Sequence, residues 1–184
     1  ERGNIIGLDG ISIFDGKDYS QRDYFQKAIK GESYISDPLL SKITNKYAVL
    51  VATPIWDQGI QGGTVTGCIY FAPPADFLTN IMLSVNISGD SSVYMINPDG
   101  VIIADRKEET VEQQLSIIDY AKTEEGKEYE ALAAIHKKMV AGETGNAHYQ
   151  SASGTVLVSY LPIKSNIGRW YLALEEPIDN FVEG

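Results

Sequence analysis

"YAVLVATPIW", Tyr47–Trp56, and "TVLVSYLPIK", Thr155–Lys164, are two versions of one pattern. Both are β-branched and aromatic runs that read as strands ending in Pro-Ile. Each precedes a loop and a further strand, "TVTGCIYFA" (Thr64–Ala72) after the first and "GRWYLALEE" (Gly168–Glu176) after the second. The repetition extends upstream. "LDGISIFD", Leu8–Asp15, lines up with "PDGVIIAD", Pro98–Asp105, and the Asp-Gly pair favours a hairpin turn. In the second copy the incoming strand "SSVYMI" and the turn "NPDG" are explicit.

Between hairpin and Pro-Ile strand each half carries a helix. The first spans Ser20–Lys30; Ser20 with Asp23 suggests a capping box, and Gly31 a C-terminal stop. The second spans Glu128–Ala141, with Tyr129, Leu132, Ile135, His136, Met139 and Val140 on one apolar face. A third helix, from about Pro74 to Asn86, connects the halves. The order hairpin, helix, hairpin occurs twice, which predicts an α+β protein of two modules, each an antiparallel sheet flanked by helices.

Composition narrows the function. The chain has 184 residues, net charge −10, 43% hydrophobic and 10% aromatic residues, so it folds without a disordered stretch. No basic run exists to hold phosphates, so nucleic acid is not an expected partner. One cysteine, Cys68, excludes an internal disulfide and a thiolate zinc site; in "TGCIYF" it reads as a small buried residue. No apolar run approaches the about 20 residues of a membrane span. Glu1 in place of Met suggests a fragment or mature form.

Catalytic patterns are missing. "AGETGN" lacks the lysine of a phosphate loop, and "DQGIQGG" and "NPDG" read as turns, not calcium loops. His136 and His148 are isolated, and His136 falls on an apolar helix face, as a core histidine would. No serine has a nucleophile-elbow context, Cys68 has no activating base, and Glu108 and Glu109 read as a solvated pair. "NIS" at Asn86 is a short glycosylation sequon. Neither an enzyme, a metal nor a cofactor is expected.

A binding site remains. In "DYSQRDYFQKAIKGESYISDP", Asp18–Pro38, Arg22 stands near the helix start, where a cation is disfavoured. With Tyr24 and Phe25 it sets a guanidinium beside two rings, and Tyr34, Trp56 and Tyr70 come from neighbouring strands and loops. Aromatic walls with a few polar groups suit a small-ligand pocket, and an anion at the helix start would explain the arginine. Alternatively Arg22 pairs with Asp18, Asp23 or Asp37.

These stretches, with "ATPIW", "GGTVTGCIYF" and "YLPIKSNIGRWYLALEEP", resemble a double Cache sensor domain, the extracytoplasmic part of bacterial chemoreceptors, sensor kinases and diguanylate cyclases. The resemblance implies a ligand-binding, membrane-distal module over 1–86, without the family's long N-terminal helix, and a membrane-proximal module over 87–184. In that family an Arg and an aromatic two residues on hold a ligand carboxylate, and Arg22 and Tyr24 match them, with Phe25 the next ring. Ser36 and Asp37 join the implied site. Ala72 falls where an ammonium-binding Asp often stands, and Leu39 where a Tyr often does. The implied ligand is an organic acid or amino-acid-like molecule carrying a carboxylate but no obligatory amine. Homodimerisation in the full receptor, with membrane contact only through flanking helices, is also implied. The rival reading is a secreted or surface-exposed dimerisation or scaffold module with no small ligand.

Overall fold

A computed structural model of the chain describes residues 5–6, 12–13, 19–41, 45–85, 91–164 and 168–178. The Asp9-Gly10 turn, Asp18, the Asn86 sequon and Gly184 lie outside the described residues. The architecture is α+β, and among the described residues every strand pairing is antiparallel. Two compact units emerge, residues 1–36 with 49–73, and residues 37–48 with 74–184.

The first unit holds strands β1 (Ile5–Ile6) and β2 (Ser12–Ile13), which pair with each other, and helix α1 (Asp23–Ala28). Its main sheet begins with β3 (Tyr34–Ile35). The segment 37–48 then contributes β4 (Leu39–Leu40) and β5 (Tyr47–Ala48) to the second unit. Back in the first unit come β6 (Val51–Trp56) and β7 (Val65–Phe71), giving the sheet order β3-β6-β7. α1 packs on this sheet through Tyr24 and Ala28.

The second unit continues with α2 (Asp76–Ser84), β8 (Ser92–Ile96), β9 (Ile102–Ala104), α3 (Glu108–Glu112), α4 (Ile117–Tyr120), α5 (Glu130–Val140), β10 (Gly145–Ser151), β11 (Gly154–Ile163) and β12 (Trp170–Pro177). Its sheet order is β10-β11-β12-β8-β9. Tyr94, Ile96, Val158, Tyr160, Tyr171 and Ala173 face Leu132, Ala133, Ile135 and Met139 of α5 in one core. Burial of each Ile, Leu, Val or Met side chain in it contributes about 1.5–3 kcal/mol. Side chains alternate along β8, so buried Val93 and Met95 point to its other side. α2 packs against β8 and β9 through a face that buries Leu78, Thr79 and Met82. The helix read as a connector thus lies within the second unit, which comprises residues 37–48 and 74–184.

The Pro-Ile motif has a physical reason. Pro54 pairs with Cys68 of β7, but β3 reaches only Ala52 and Val51 on the other side of β6. Pro162 pairs with Tyr171 of β12, while β10 reaches only to Tyr160. Each proline sits where its strand has a neighbour on one side alone, so its missing N–H costs no second ladder bond.

α1 begins later than its sequence suggests. Arg22 is the N-cap, with extended backbone and no side-chain cap, and Ser20 lies in the preceding turn. The expected capping box therefore does not form. The C-terminal stop does form. Gly31 has φ +86°, its N–H donates to the Ala28 carbonyl, and that of Glu32 donates to Lys27, the double bond of a Schellman motif. Gly142 (φ +83°) and Glu143 end α5 with the same two bonds, to Met139 and Lys138.

Gly31 is constrained twice, because a Cβ there would lie 2.7 Å from Cη2 of Trp56. Gly31→Ala is expected to cost about 1–3 kcal/mol, from left-handed backbone strain plus displacement of the indole. Urea unfolding of wild type and variant measures it. A change within ~0.5 kcal/mol would show that the Trp56 ring yields freely.

Candidate functional site

The first unit gathers most of the expected binding residues around α1. Tyr34 of β3 pairs with Ala52, and Ala52 pairs with Tyr70 of β7, so the two tyrosines flank a small residue on one sheet face. Tyr24, 7% exposed, lays its ring against Tyr70 at 4.9 Å between centroids, tilted by 36°. Such a ring pair contributes about 0.5–1.5 kcal/mol beyond its area. Burial pushes the Tyr24 phenol up, Tyr70 and Cys68 add to the shift, and the nearby Arg22 guanidinium opposes it. Burial likewise raises the half-buried Cys68 thiol, which suits a packed rather than a nucleophilic cysteine.

Arg22 is exposed at the start of α1, and among the described residues no carboxylate pairs with its side chain. Its backbone N–H donates to Tyr19, and its carbonyl accepts from Gln26. Asp23 and Asp37, two of the three sequence-suggested partners, therefore do not neutralise it. α1 has six residues, so its N-terminus adds little electrostatic field of its own. Phe25 is half-buried on the same helix. Trp56 closes the end of β6 against Gly31.

Ser36 and Asp37 are engaged in hydrogen bonds of the fold itself. Ser36 is buried, its backbone N–H donates to the Leu50 carbonyl, and its Oγ accepts from the Leu50 N–H at 2.8 Å. It fastens β3 to the chain before β6. Asp37 belongs to the second unit, where Oδ1 accepts from Trp170 Nε1 at 2.7 Å and Oδ2 from Asn97 Nδ2 at 2.8 Å. Both oxygens are thus engaged within that unit. Ala72 is exposed just past β7 and brings no charge, and Leu39 lies in β4 of the second unit. Sequence reading missed Ala52, because its place between the tyrosines depends on cross-strand register.

The second unit holds a buried polar cluster. His136 is fully buried on α5, with Nε2 2.8 Å from Tyr94 Oη; the same hydroxyl donates to Glu175 Oε1 at 3.1 Å. Tyr149 also bonds Glu175. Burial lowers His136 from 6.5 to about 4. Burial raises the Glu175 carboxyl, against the hydrogen bonds from Tyr94 and Tyr149. The expectation of a core histidine matches this burial. Among the described residues no three His, Cys, Asp or Glu side chains converge as a metal site would require. No helix among them is long and apolar enough to cross a membrane.

Comparison with solved structures finds similar folds. The ligand-binding domain of the Pseudomonas fluorescens chemoreceptor CtaA, in complex with L-serine, aligns with TM-score 0.63 and 16% identity over 97% of this chain and 66% of that one. That of the Pseudomonas aeruginosa PAO1 amino acid chemoreceptor PctB, in complex with L-Arg, aligns with TM-score 0.62 and 17% identity over 97% and 66%. PctC of the same organism, in complex with GABA, gives 0.59 and 17% over 88% and 64%. The chain thus spans just under two thirds of the length of these chains. Comparison with curated proteins gives no match. A family model described as Cache domain matches residues 3–184, so the chain belongs to the Cache domain family.

Proposed function

We propose that this Cache domain is an extracytoplasmic sensor of two tandem Cache modules that holds a small carboxylate-bearing molecule at Arg22 in the first unit. Binding there is read by an output domain across a membrane. The observation that carries the reading is Arg22 itself, exposed beside the Tyr24–Tyr70 pair and without a carboxylate partner among the described residues. The similar domains were solved with L-serine, L-Arg and GABA, which share a carboxylate. Ala72 supplies no countercharge for an amine, and leaving a buried ammonium unpaired costs several kcal/mol, so the carboxylate is the recognised group. The ligand acts by differential affinity, drawing the domain toward the conformation that binds it better.

Arg22→Ala is expected to remove a charge-assisted contact of roughly 1.5–3 kcal/mol, weakening binding about 10- to 150-fold. Thermal shift over organic acids and amino acids tests it. At ~100 times its dissociation constant a ligand adds about 2.7 kcal/mol, or roughly 5–11 °C for a domain of this size. The wild type should show this shift and the variant should lose it, with equal melting temperatures when unliganded. A variant that melts several degrees lower alone and still binds would make Arg22 a structural residue.

A further inference from the structure

The repeat in the sequence is also a repeat of strand register. In the first unit Pro54 pairs with Cys68 and Ala52 with Tyr70. In the second, Pro162 pairs with Tyr171 and Tyr160 with Ala173, so β7 is the counterpart of β12. The hairpins match as well. Ile6 pairs with Ser12 and Ile96 with Ile102, positions that the alignment of "LDGISIFD" with "PDGVIIAD" makes equivalent. The β1–β2 hairpin is thus the counterpart of β8–β9.

One pairing of the second unit has no counterpart in the first. β12 is bonded to β11 on one side and to β8 on the other. Among the described residues β7 has only β6 beside it, and β1–β2 forms a sheet of its own. A two-stranded hairpin this short is marginal alone. The open edge of β7 runs over seven residues and carries none of the charges or prolines that keep an edge from pairing. Ile69 and Phe71, 55% and 59% exposed, stand along it.

We propose that the β1–β2 hairpin docks on this edge, with β1 antiparallel to β7 and Ile6 opposite Cys68, the register in which Ile96 stands opposite Tyr171. The first sheet then runs β3-β6-β7-β1-β2, the order of the second. Docking pairs backbone groups that an open edge leaves to water and draws Ile69 and Phe71 partly out of solvent. Cys68 and Tyr70 share the sheet face against which Tyr24 lies. On the reading of Arg22 given above, β1 therefore extends that face and walls the ligand site on the side of Tyr70.

Cys68 allows a direct test in the full chain without ligand, so the outcome is independent of what Arg22 binds. Ile6→Cys and Ile5→Cys proteins are oxidised with diamide at low protein concentration, and the intramolecular disulfide is read by peptide mass. Residues opposite each other in an antiparallel ladder have Cα atoms about 4.5–5.5 Å apart, within disulfide range. Successive residues project from opposite faces, so Ile6→Cys should cross-link to Cys68 roughly tenfold faster than Ile5→Cys. The oxidised protein should also melt above the reduced one, because the bond holds a native contact. Equal rates, a faster Ile5→Cys, or an oxidised form that melts lower overturns the proposal. Amide exchange of the unsubstituted protein gives a second reading. The N–H groups of an antiparallel strand point to its two sides in turn. With β1 docked, every amide from Cys68 to Phe71 exchanges slowly; with an open edge, alternate ones exchange like exposed backbone. Fast alternate amides overturn the proposal. So do slow amides together with an Ile6→Cys variant that does not cross-link, which would assign the edge to a second copy or another segment.

Discussion

Between pH 7.5 and pH 4.5 the protein is expected to lose about 2.5 kcal/mol of stability through His136 alone. The folded ring titrates near 4 because burial disfavours its charged form, against 6.5 for a free imidazole. A base held low in the folded state contributes stability that is complete above pH 6.5 and is lost as pH falls toward 4, since only the unfolded chain binds the proton. Hydrogen bonding adds to the resistance. Tyr94 donates its one proton to Glu175, so it accepts from His136 Nε2–H. Nδ1 has no partner among the described residues, and a proton placed there would be a buried donor without an acceptor. Glu175 of β12 works in the opposite direction: its raised carboxyl contributes stability below the ordinary carboxylate range that is lost as pH rises. Tyr149 of β10 and Asp105, after β9, also act on this cluster. The His136 contribution is isolated by comparing wild type with His136→Gln, which keeps an amide near Tyr94 and cannot charge. The stability difference between the two should shift by about 2.5 kcal/mol in favour of the variant from pH 7.5 to 4.5, or roughly 5–10 °C in melting temperature. Parallel pH profiles would mean that His136 ionises freely in the folded state.

Much of the fold was legible from alternation and repetition. The Pro-Ile strands, the Asn97–Gly100 turn and the apolar face of α5 are local patterns, and the structure keeps them because burial and hydrogen bonding act on those same local residues. What could not be read depended on pairing between distant segments. Ser20 and Asp23 have capping-box spacing, yet a spacing does not fix the backbone angles, and α1 starts at Asp23. The α2 face carrying Leu78 and Met82 looked like a linker helix until β8 and β9 supplied what it packs on. For the candidate site, Arg22 and Tyr24 were visible because they neighbour each other on one helix. The Tyr34–Ala52–Tyr70 row depends on register, and Asp37 follows Ser36 directly in sequence while spending its carboxylate elsewhere.

Asp37 supplies the other large expected effect. Asp37→Ala should lower stability by about 3 kcal/mol, a fall of roughly 6–12 °C in melting temperature. The carboxylate accepts from the Trp170 indole N–H and the Asn97 amide, two charge-assisted bonds of about 1.5–3 kcal/mol each, reduced here because Asp37 and Trp170 are half-buried and water reaches them. Asn97 is 6% exposed, and its own oxygen accepts from the N–H groups of Asp99 and Val101, which shapes the turn between β8 and β9. Removing the carboxylate therefore leaves two donors without their acceptor and loosens the residue on which that turn depends. Asp37→Asn keeps one acceptor oxygen but turns an NH₂ toward a donor, so it should recover less than half of the loss. A ligand contact would behave differently, with unchanged melting of the free protein and weaker binding. The sharper measurement is a double-mutant cycle with Trp170→Phe, which deletes the indole N–H and keeps an aromatic ring. In that background Asp37→Ala should cost about 1–2 kcal/mol less than in the wild type, because the two side chains share one interaction. Strict additivity of the two substitutions would show that the Asp37–Trp170 bond contributes nothing to holding segment 37–48 in the second unit.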